Sequence, residues 1–308
     1  MEQFSGISEV MRISGNTRYE TSLKIADYYK DKINGGSKFE AVVIATGENF
    51  PDALAGSYLA NKKNAPIIMI NKSSAEAAVK YIRDNLAENG RIYVLGGENV
   101  IASAWLGDLN YTRLSGTNRH LTNIEILKET GVSGGSIFVC TGANYADALS
   151  GSGLDYPILL VGNSLTDDQK SFLKDGEWKF IIIGGTNAVS KTVEDQLKAY
   201  GKIEERIAGA NRYDTSIQLA EKYAPYARKI VLATGRNFPD GLCGGPLAYN
   251  LESPIILTNT SNGSAYGKKY VSDNGIMNGL ALGGTNAVSD AVIRDTFKKN
   301  ADDVIVSY

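Results

Sequence analysis

The sequence predicts an α/β protein built from three tandem layered units, each carrying a small parallel sheet. Two observations carry that prediction. A four-block pattern recurs three times along the chain, and within each copy continuous apolar runs alternate with glycine turns and helix-like segments. The Thr-Gly loops beginning at Thr46, Thr141 and Thr234 stand 95 and 93 residues apart. The copies divide the chain into residues 10–112, 113–205 and 206–308.

The first block is Arg, apolar, small, Gly, two variable residues, Arg. It carries Arg12 and Arg18, then Arg113 and Arg119, then Arg206 and Arg212. A short strand such as Val10 to Ile13 leads into the glycine. A helix follows, with Leu23, Ala26 and Tyr29 on one face, and Ile217, Ala220 and Tyr223 in the third copy.

The second block is the Thr-Gly loop, with Asn49, Phe50 and Asp52 answered by Asn144, Tyr145 and Asp147 and by Asn237, Phe238 and Asp240. Each copy follows an unbroken apolar run: Ala41 to Ala45, Ile137 to Cys140, Ile230 to Ala233. Runs without alternation suit parallel strands covered on both faces. A small-residue helix is expected around Ala53 to Leu59.

The third block is Pro66-Ile67-Ile68-Met69, then Pro157-Ile158-Leu159-Leu160, then Pro254-Ile255-Ile256-Leu257. Proline is tolerated at a strand start because no ladder N–H is required there. A helix with Val79, Ile82 and Leu86 on one face follows in the first copy. Ser261-Asn262-Gly263-Ser264 implies a shorter one in the third. The fourth block, Gly-Gly-x-Asn, begins at Gly96, Gly184 and Gly283, after a strand and before a helix such as Val189 to Tyr200. Asp303 to Val306 reads as a strand closing the third unit. Loops after parallel strands gather at one end of the sheet, the usual place for ligands.

Two arginines flanking a glycine turn at a helix start suit phosphate or carboxylate, because guanidinium groups and free helix N–H groups both attract anions. The competing reading is bracing against a carboxylate such as Asp52, Asp147 or Asp240. Asn49, Asp52 and their copies could bind a polar ligand, but read more simply as caps of a turn and helix start, with Phe50, Tyr145 and Phe238 plugging the core. The Pro-Ile strands read most simply as core.

Composition limits the partners. With 32 basic and 34 acidic residues the net charge is −2, which supplies no basic field for nucleic acid. No apolar run reaches the length of a membrane span, and no signal peptide is visible at Met1 to Met11. Cys140 and Cys243 occupy different places in the repeat and read as small buried residues. His120, the lone histidine, replaces Tyr19 and Tyr213. No metal-ligand cluster, nucleophilic triad or nucleotide motif is present, so neither metal nor cofactor is expected, and no catalysis.

The combined blocks, Arg-Ile-Ser-Gly-x-x-Arg-Tyr-x-Thr with Thr-Gly-x-Asn-Phe-x-Asp-Ala-Leu and Gly-Gly-x-Asn, resemble the cell wall binding repeat 2 family of clostridial cell wall and S-layer proteins. The resemblance runs from about Arg12 to Val306. It implies a Toprim-like fold for each unit and a pseudo-threefold arrangement of the three. It also implies an extracellular protein anchored noncovalently to an anionic polymer of the Gram-positive wall, a secondary polysaccharide or teichoic-acid-like chain. A Pro-Ile-Leu-Leu motif is implicated in that attachment, which makes the three Pro-Ile strands candidate contacts alongside the arginines, asparagines and aspartates. The motif is intact only at Pro157 to Leu160. The second copy also has Ala146 for proline and a shorter gap between Gly151 and Pro157. Family members often carry a separate effector domain; three repeats fill the length here, so the expectation is a bare anchoring module or a piece of a larger protein. The rival expectations are an enzyme acting on wall glycans or phosphate esters, and a purely structural lattice or adhesin module. Toprim-like catalysis needs an Asp-x-Asp pair, which the sequence lacks.

Overall fold

The computed structural model describes residues 6–259, 265–298 and 303–308. The elements run β1 (Ile7–Ile13), α1 (Arg18–Lys32), β2 (Phe39–Thr46), α2 (Pro51–Lys62), β3 (Ile67–Ile70), α3 (Ala75–Asn85), β4 (Leu86–Leu95) and α4 (Ser103–Leu106). The second copy supplies β5 (Thr112–Leu114), α5 (Arg119–Glu129), β6 (Gly135–Thr141), α6 (Ala146–Gly151), β7 (Ile158–Val161), α7 (Asp167–Leu173), β8 (Trp178–Ile183) and α8 (Lys191–Leu197). The third supplies β9 (Gly201–Ile207), α9 (Arg212–Tyr223), β10 (Lys229–Thr234), α10 (Pro239–Leu242), α11 (Gly244–Asn250), β11 (Ile255–Thr258), α12 (Ala265–Asp273), β12 (Asn278–Leu282), α13 (Asp290–Phe297) and β13 (Asp303–Ser307).

These strands form three parallel sheets, ordered β3-β2-β4-β5, β7-β6-β8-β9 and β11-β10-β12-β1-β13. Sequence repeats and sheets are out of phase. The arginine strand that opens each repeat completes the sheet of the repeat before it: β5 pairs with β4, and β9 with β8. The first strand of the chain does the same for the third sheet, where Val10 to Ile13 pair with Gly279 to Leu282. The ring of units is thus closed by inserting β1 rather than by a covalent link. β13 does join the third sheet, but outside β1, because β1 already occupies the place beside β12.

The element lengths follow local sequence. Pro51 and Pro239 stand at the first turn of α2 and α10, where a missing N–H costs nothing. With Pro157 only six positions after Gly151, α6 has 6 residues against 12 in α2. In the third unit the same stretch breaks into α10 and α11 at Cys243, beside Gly241, Gly244 and Gly245, which weaken a helix. The helix expected from Val79, Ile82 and Leu86 ends at Asn85; Val79 and Ile82 are buried, and Leu86 already belongs to β4. The helix expected over Val189 to Tyr200 is shorter because Ser190 caps it, accepting from Val193 N–H at 3.3 Å. Ser261 to Ser264 lie outside the described residues.

One apolar core runs through all three units. Leu54, Leu149 and Leu242 on the central helices are fully buried in a single cluster with residues of every sheet. Two further clusters fill the outer layers of the third and second units. Cys140 and Cys243 are buried free thiols, and burial pushes both well above the ordinary thiol range. Among the described residues no helix is long and apolar enough to cross a membrane.

Candidate functional site

The crossing between units is made by the arginine block, and its two arginines take different parts. The first of each pair stays with the sheet its strand completes. Arg12 donates to Gly283 O and Asp290 Oδ1, both at 2.7 Å, and its side chain is sealed. Arg113 donates to Gly96 O at 2.8 Å and lies 3.2 Å from Glu98 and from Ser103 Oγ. Arg206 donates to Gly184 O at 2.8 Å and to Glu194 at 2.7 Å. The bracing reading therefore describes Arg12, Arg113 and Arg206, but with other carboxylates than the expected Asp52, Asp147 and Asp240. Each fixes a glycine of the Gly-Gly loop held at positive φ: 99° at Gly96, 105° at Gly184, 91° at Gly283. Any side chain there would be strained, and a Cβ on Gly96 would stand 2.7 Å from Asp52 Oδ2.

The second arginine enters the next unit. Arg18, Arg119 and Arg212 donate to the carbonyls of Gly47, Gly142 and Gly235 at 2.6, 2.5 and 2.6 Å. The arginine and the residue after it lie across that glycine, so a Cβ on Gly47 would come within 2.7 Å of Tyr19 and 3.1 Å of Arg18. This is why the loop reads Thr-Gly. His120 takes the same place over Gly142, with Nδ1 2.8 Å from Leu160 O.

Each of these arginines also faces a neighbouring unit. Arg18 lies over the Phe238 ring, Arg119 over Phe50 and Arg212 over Tyr145, at 5.9, 5.9 and 5.4 Å. The three rings touch one another, with centroids 5.8, 5.6 and 5.7 Å apart. That near-equilateral triangle marks the pseudo-threefold axis. The rings expected to plug each unit's own core plug the junction of all three instead. Arg212 additionally donates to Tyr145 Oη at 3.0 Å.

The aspartates complete the pattern. Burial raises Asp52 and Asp147 to about 6 against opposing attraction from Arg119 and Arg212. Asp240 is raised for the same reason, opposed by Thr21 and Arg18. Every aspartate thus lies within electrostatic reach of the arginine of the following unit. The asparagines cap their own loop: Asn49, Asn144 and Asn237 accept from Phe50, Ala146 and Phe238 N–H at 2.9, 3.2 and 2.9 Å.

These parts converge on a cleft of about 280 Å³ between the first two units. Asn49, Asp52 and the Gly97–Val100 turn line one wall; Thr117, Asn118, Arg119 and Thr122 line the other. Sequence reasoning singled out Asn49, Asp52 and Arg119 but missed several neighbours. Thr17, Asn118 and Asn211, taken as variable positions, cap α1, α5 and α9. Thr21, Thr122 and Thr215 each accept from the block glycine at 3.0 Å. Their recurrence at one offset was the available signal.

The third block lies elsewhere. Pro66 to Met69, Pro157 to Leu160 and Pro254 to Leu257 are all buried. They lead into β3, β7 and β11, the edge strands, and the arginine-block helices α1, α5 and α9 cover them. Ser22, Asn123 and Ser216 accept from the Met69, Leu160 and Leu257 amides at 3.0, 2.9 and 3.2 Å. As candidate contacts these twelve residues present no side-chain surface to a polymer, because their apolar groups are consumed by the core.

The repeats match the cell wall binding domain 2 (CWB2) family over residues 12–105, 113–194 and 206–293. The chain belongs to that family. Its coarse function is accordingly binding to the cell wall. The N-acetylmuramoyl-L-alanine amidase LytC of Bacillus subtilis is 27% identical over 92% of this chain and 57% of its own length. The amidase enhancer of the same organism is 28% identical over 91% and 39%. The solved structure of Cwp6 from Clostridium difficile superimposes with a TM-score of 0.82 at 26% identity, over 96% of this chain and 49% of that one. The chain spans roughly half the length of the proteins it resembles. The CWB2 match and the Cwp6 likeness confirm the three-unit α/β architecture.

Proposed function

We infer that the protein acts outside the cell as a noncatalytic anchor, gripping an anionic polymer of the Gram-positive wall in three composite clefts. The carrying observation is the cyclic arrangement that holds Arg119, Arg212 and Arg18 on loop carbonyls within electrostatic reach of Asp52, Asp147 and Asp240 of the preceding unit, with Arg119 and Asp52 lining one cleft. In every pair one Nη of the arginine is held by a loop carbonyl. The group is therefore positioned before a ligand arrives, and less entropy is lost on binding. Arginine suits phosphate and carboxylate because its donors form a planar fork. The adjacent aspartate opposes an anion only when ionised; protonated, it donates an O–H.

Three such clefts on one rigid body raise avidity by roughly 10²–10⁴ if one polymer spans them. The test is cosedimentation with purified walls. Changing Arg18, Arg119 and Arg212 together to alanine removes retention by folded protein, checked by circular dichroism, while removing the walls' anionic polymers does the same to the unaltered chain. Retention through both treatments refutes the reading. Release of soluble fragments from walls would speak instead for turnover.

A further inference from the structure

Arg18, Arg119 and Arg212 each stand 5.9, 5.9 and 5.4 Å from the centre of one ring of the axial triangle. The rings are 5.6 to 5.8 Å apart. The path from one guanidinium through two rings to the next sets an upper bound. No two of the three guanidinium carbons can be more than about 17 Å apart. A rotation about an axis carries a group around it but never to the other end, so the three arginines also share one side of the triangle.

That side reaches solvent. Asn49 and Pro51, on either side of the axial Phe50, line the same cleft as Arg119. Phe50, Tyr145 and Phe238 are half-buried, and the residues leading into them, Glu48-Asn49, Ala143-Asn144 and Arg236-Asn237, are exposed. On this rim Glu48 and Arg236 are opposite in sign and Ala143 is neutral. The aspartates are turned to their own Gly-Gly loops: Oδ2 of Asp52, Asp147 and Asp240 is the atom a Cβ on Gly96, Gly184 and Gly283 would meet first.

So short a span favours one ligand over three. A flexible chain held at one arginine meets the other two at an effective concentration on the order of millimolar. Three separate polyanions would instead crowd like charges toward the screening length of roughly 8–10 Å. The ring floor suits the uncharged links of a single chain. It offers apolar faces, and its hydroxyl, Tyr145 Oη, is already engaged by Arg212 and the Gly235 carbonyl.

We propose that one anionic chain crosses the axis and meets Arg18, Arg119 and Arg212 together, so that each protein molecule takes one polymer segment. The ligand class is a linear oligomer that presents three phosphate or carboxylate groups within that span. The inference rests on the reading of these arginines as anion contacts.

The test is calorimetry on the full chain with a short linear polyphosphate, an oligoglutamate of matched length, and orthophosphate as the single-charge control. At least one oligomer is expected to bind once per chain, roughly 10²–10⁴ times tighter than orthophosphate. The oligomer that binds identifies the anionic group. Arg18→Ala, Arg119→Ala and Arg212→Ala should each weaken that binding by roughly 10–100-fold without changing its stoichiometry, the worth of one charge-assisted contact. Ala143→Glu, exposed and matching the natural Glu48 of the first loop, should weaken the whole signal severalfold in a folded chain. Three oligomers per chain, or a substitution that removes one site and spares the rest, overturns the single-ligand inference and leaves three separate clefts standing. Failure of both oligomers to bind also overturns it. Wall retention by the same protein then tells whether the anchoring reading falls with it.

Discussion

Replacing Asp52 with asparagine gives a direct reading of the electrostatics at the unit junctions. Asp52 is raised from 3.8 to about 6 because burial penalises its charged form more than Arg119 rewards it. The folded state therefore holds the proton more tightly than the unfolded chain. The aspartate's contribution is fully present below about pH 4 and is lost as pH rises through about 6. About two powers of ten in proton affinity correspond to roughly 3 kcal/mol. Residual solvent contact at this half-buried group reduces that to about 1–2 kcal/mol. Asparagine keeps the shape and cannot ionise. Urea unfolding of the two chains should give equal stability near pH 4, and the Asp52→Asn chain ahead by that margin at pH 7. Taking the difference removes the opposite slope from carboxylates held low by their partners, such as Glu194 beside Lys191 and Arg206. Wall retention by the unaltered protein should also weaken as pH rises through 6, and less so in the variant. A variant less stable at pH 7 than at pH 4, relative to the parent, would refute the reasoning.

Other outcomes follow from the same geometry. Arg12→Met leaves Asp290, about a third exposed, with Tyr308 alone and frees the Gly283 carbonyl; thermal unfolding should register a loss of about 1–3 kcal/mol. Leu159→Ala should cost about 2–5 kcal/mol in chemical denaturation while wall retention of the folded protein is unchanged, because Leu159 lies within the core. Phe50→Ala opens the axis and removes the ring beneath Arg119, so both stability, by roughly 2 kcal/mol, and retention should fall. Removing Ile7 to Ile13 strips the third sheet of the strand between β12 and β13; limited proteolysis should then cut first in that unit.

Much of this architecture was legible because it is written in local periodicity. The apolar runs Ala41 to Ala45, Ile137 to Cys140 and Ile230 to Ala233 all became central strands. The Pro-Ile runs became buried strands, and hydrophobicity alone announces that. Their inclusion among the candidate contacts came from resemblance, not from the chemistry of isoleucine and leucine. The arginine pair was legible as a pair but not as two roles. Arg12 and Arg18 are six residues apart, yet they serve different sheets, and no local signal marks a unit boundary between them.

The amino-acid order by itself determined that there are three βα units, where their strands and turns fall, and which few polar residues recur. These depend on short-range physics: side-chain period, glycine at strained turns, proline at strand and helix starts. Only the tertiary structure decided that β1 closes the third sheet, that Phe50, Tyr145 and Phe238 meet on one axis, and that each aspartate faces an arginine from another repeat. Those contacts join residues from about 70 to 270 positions apart, whose meeting depends on how whole units pack, and packing leaves no trace in any single stretch of chain.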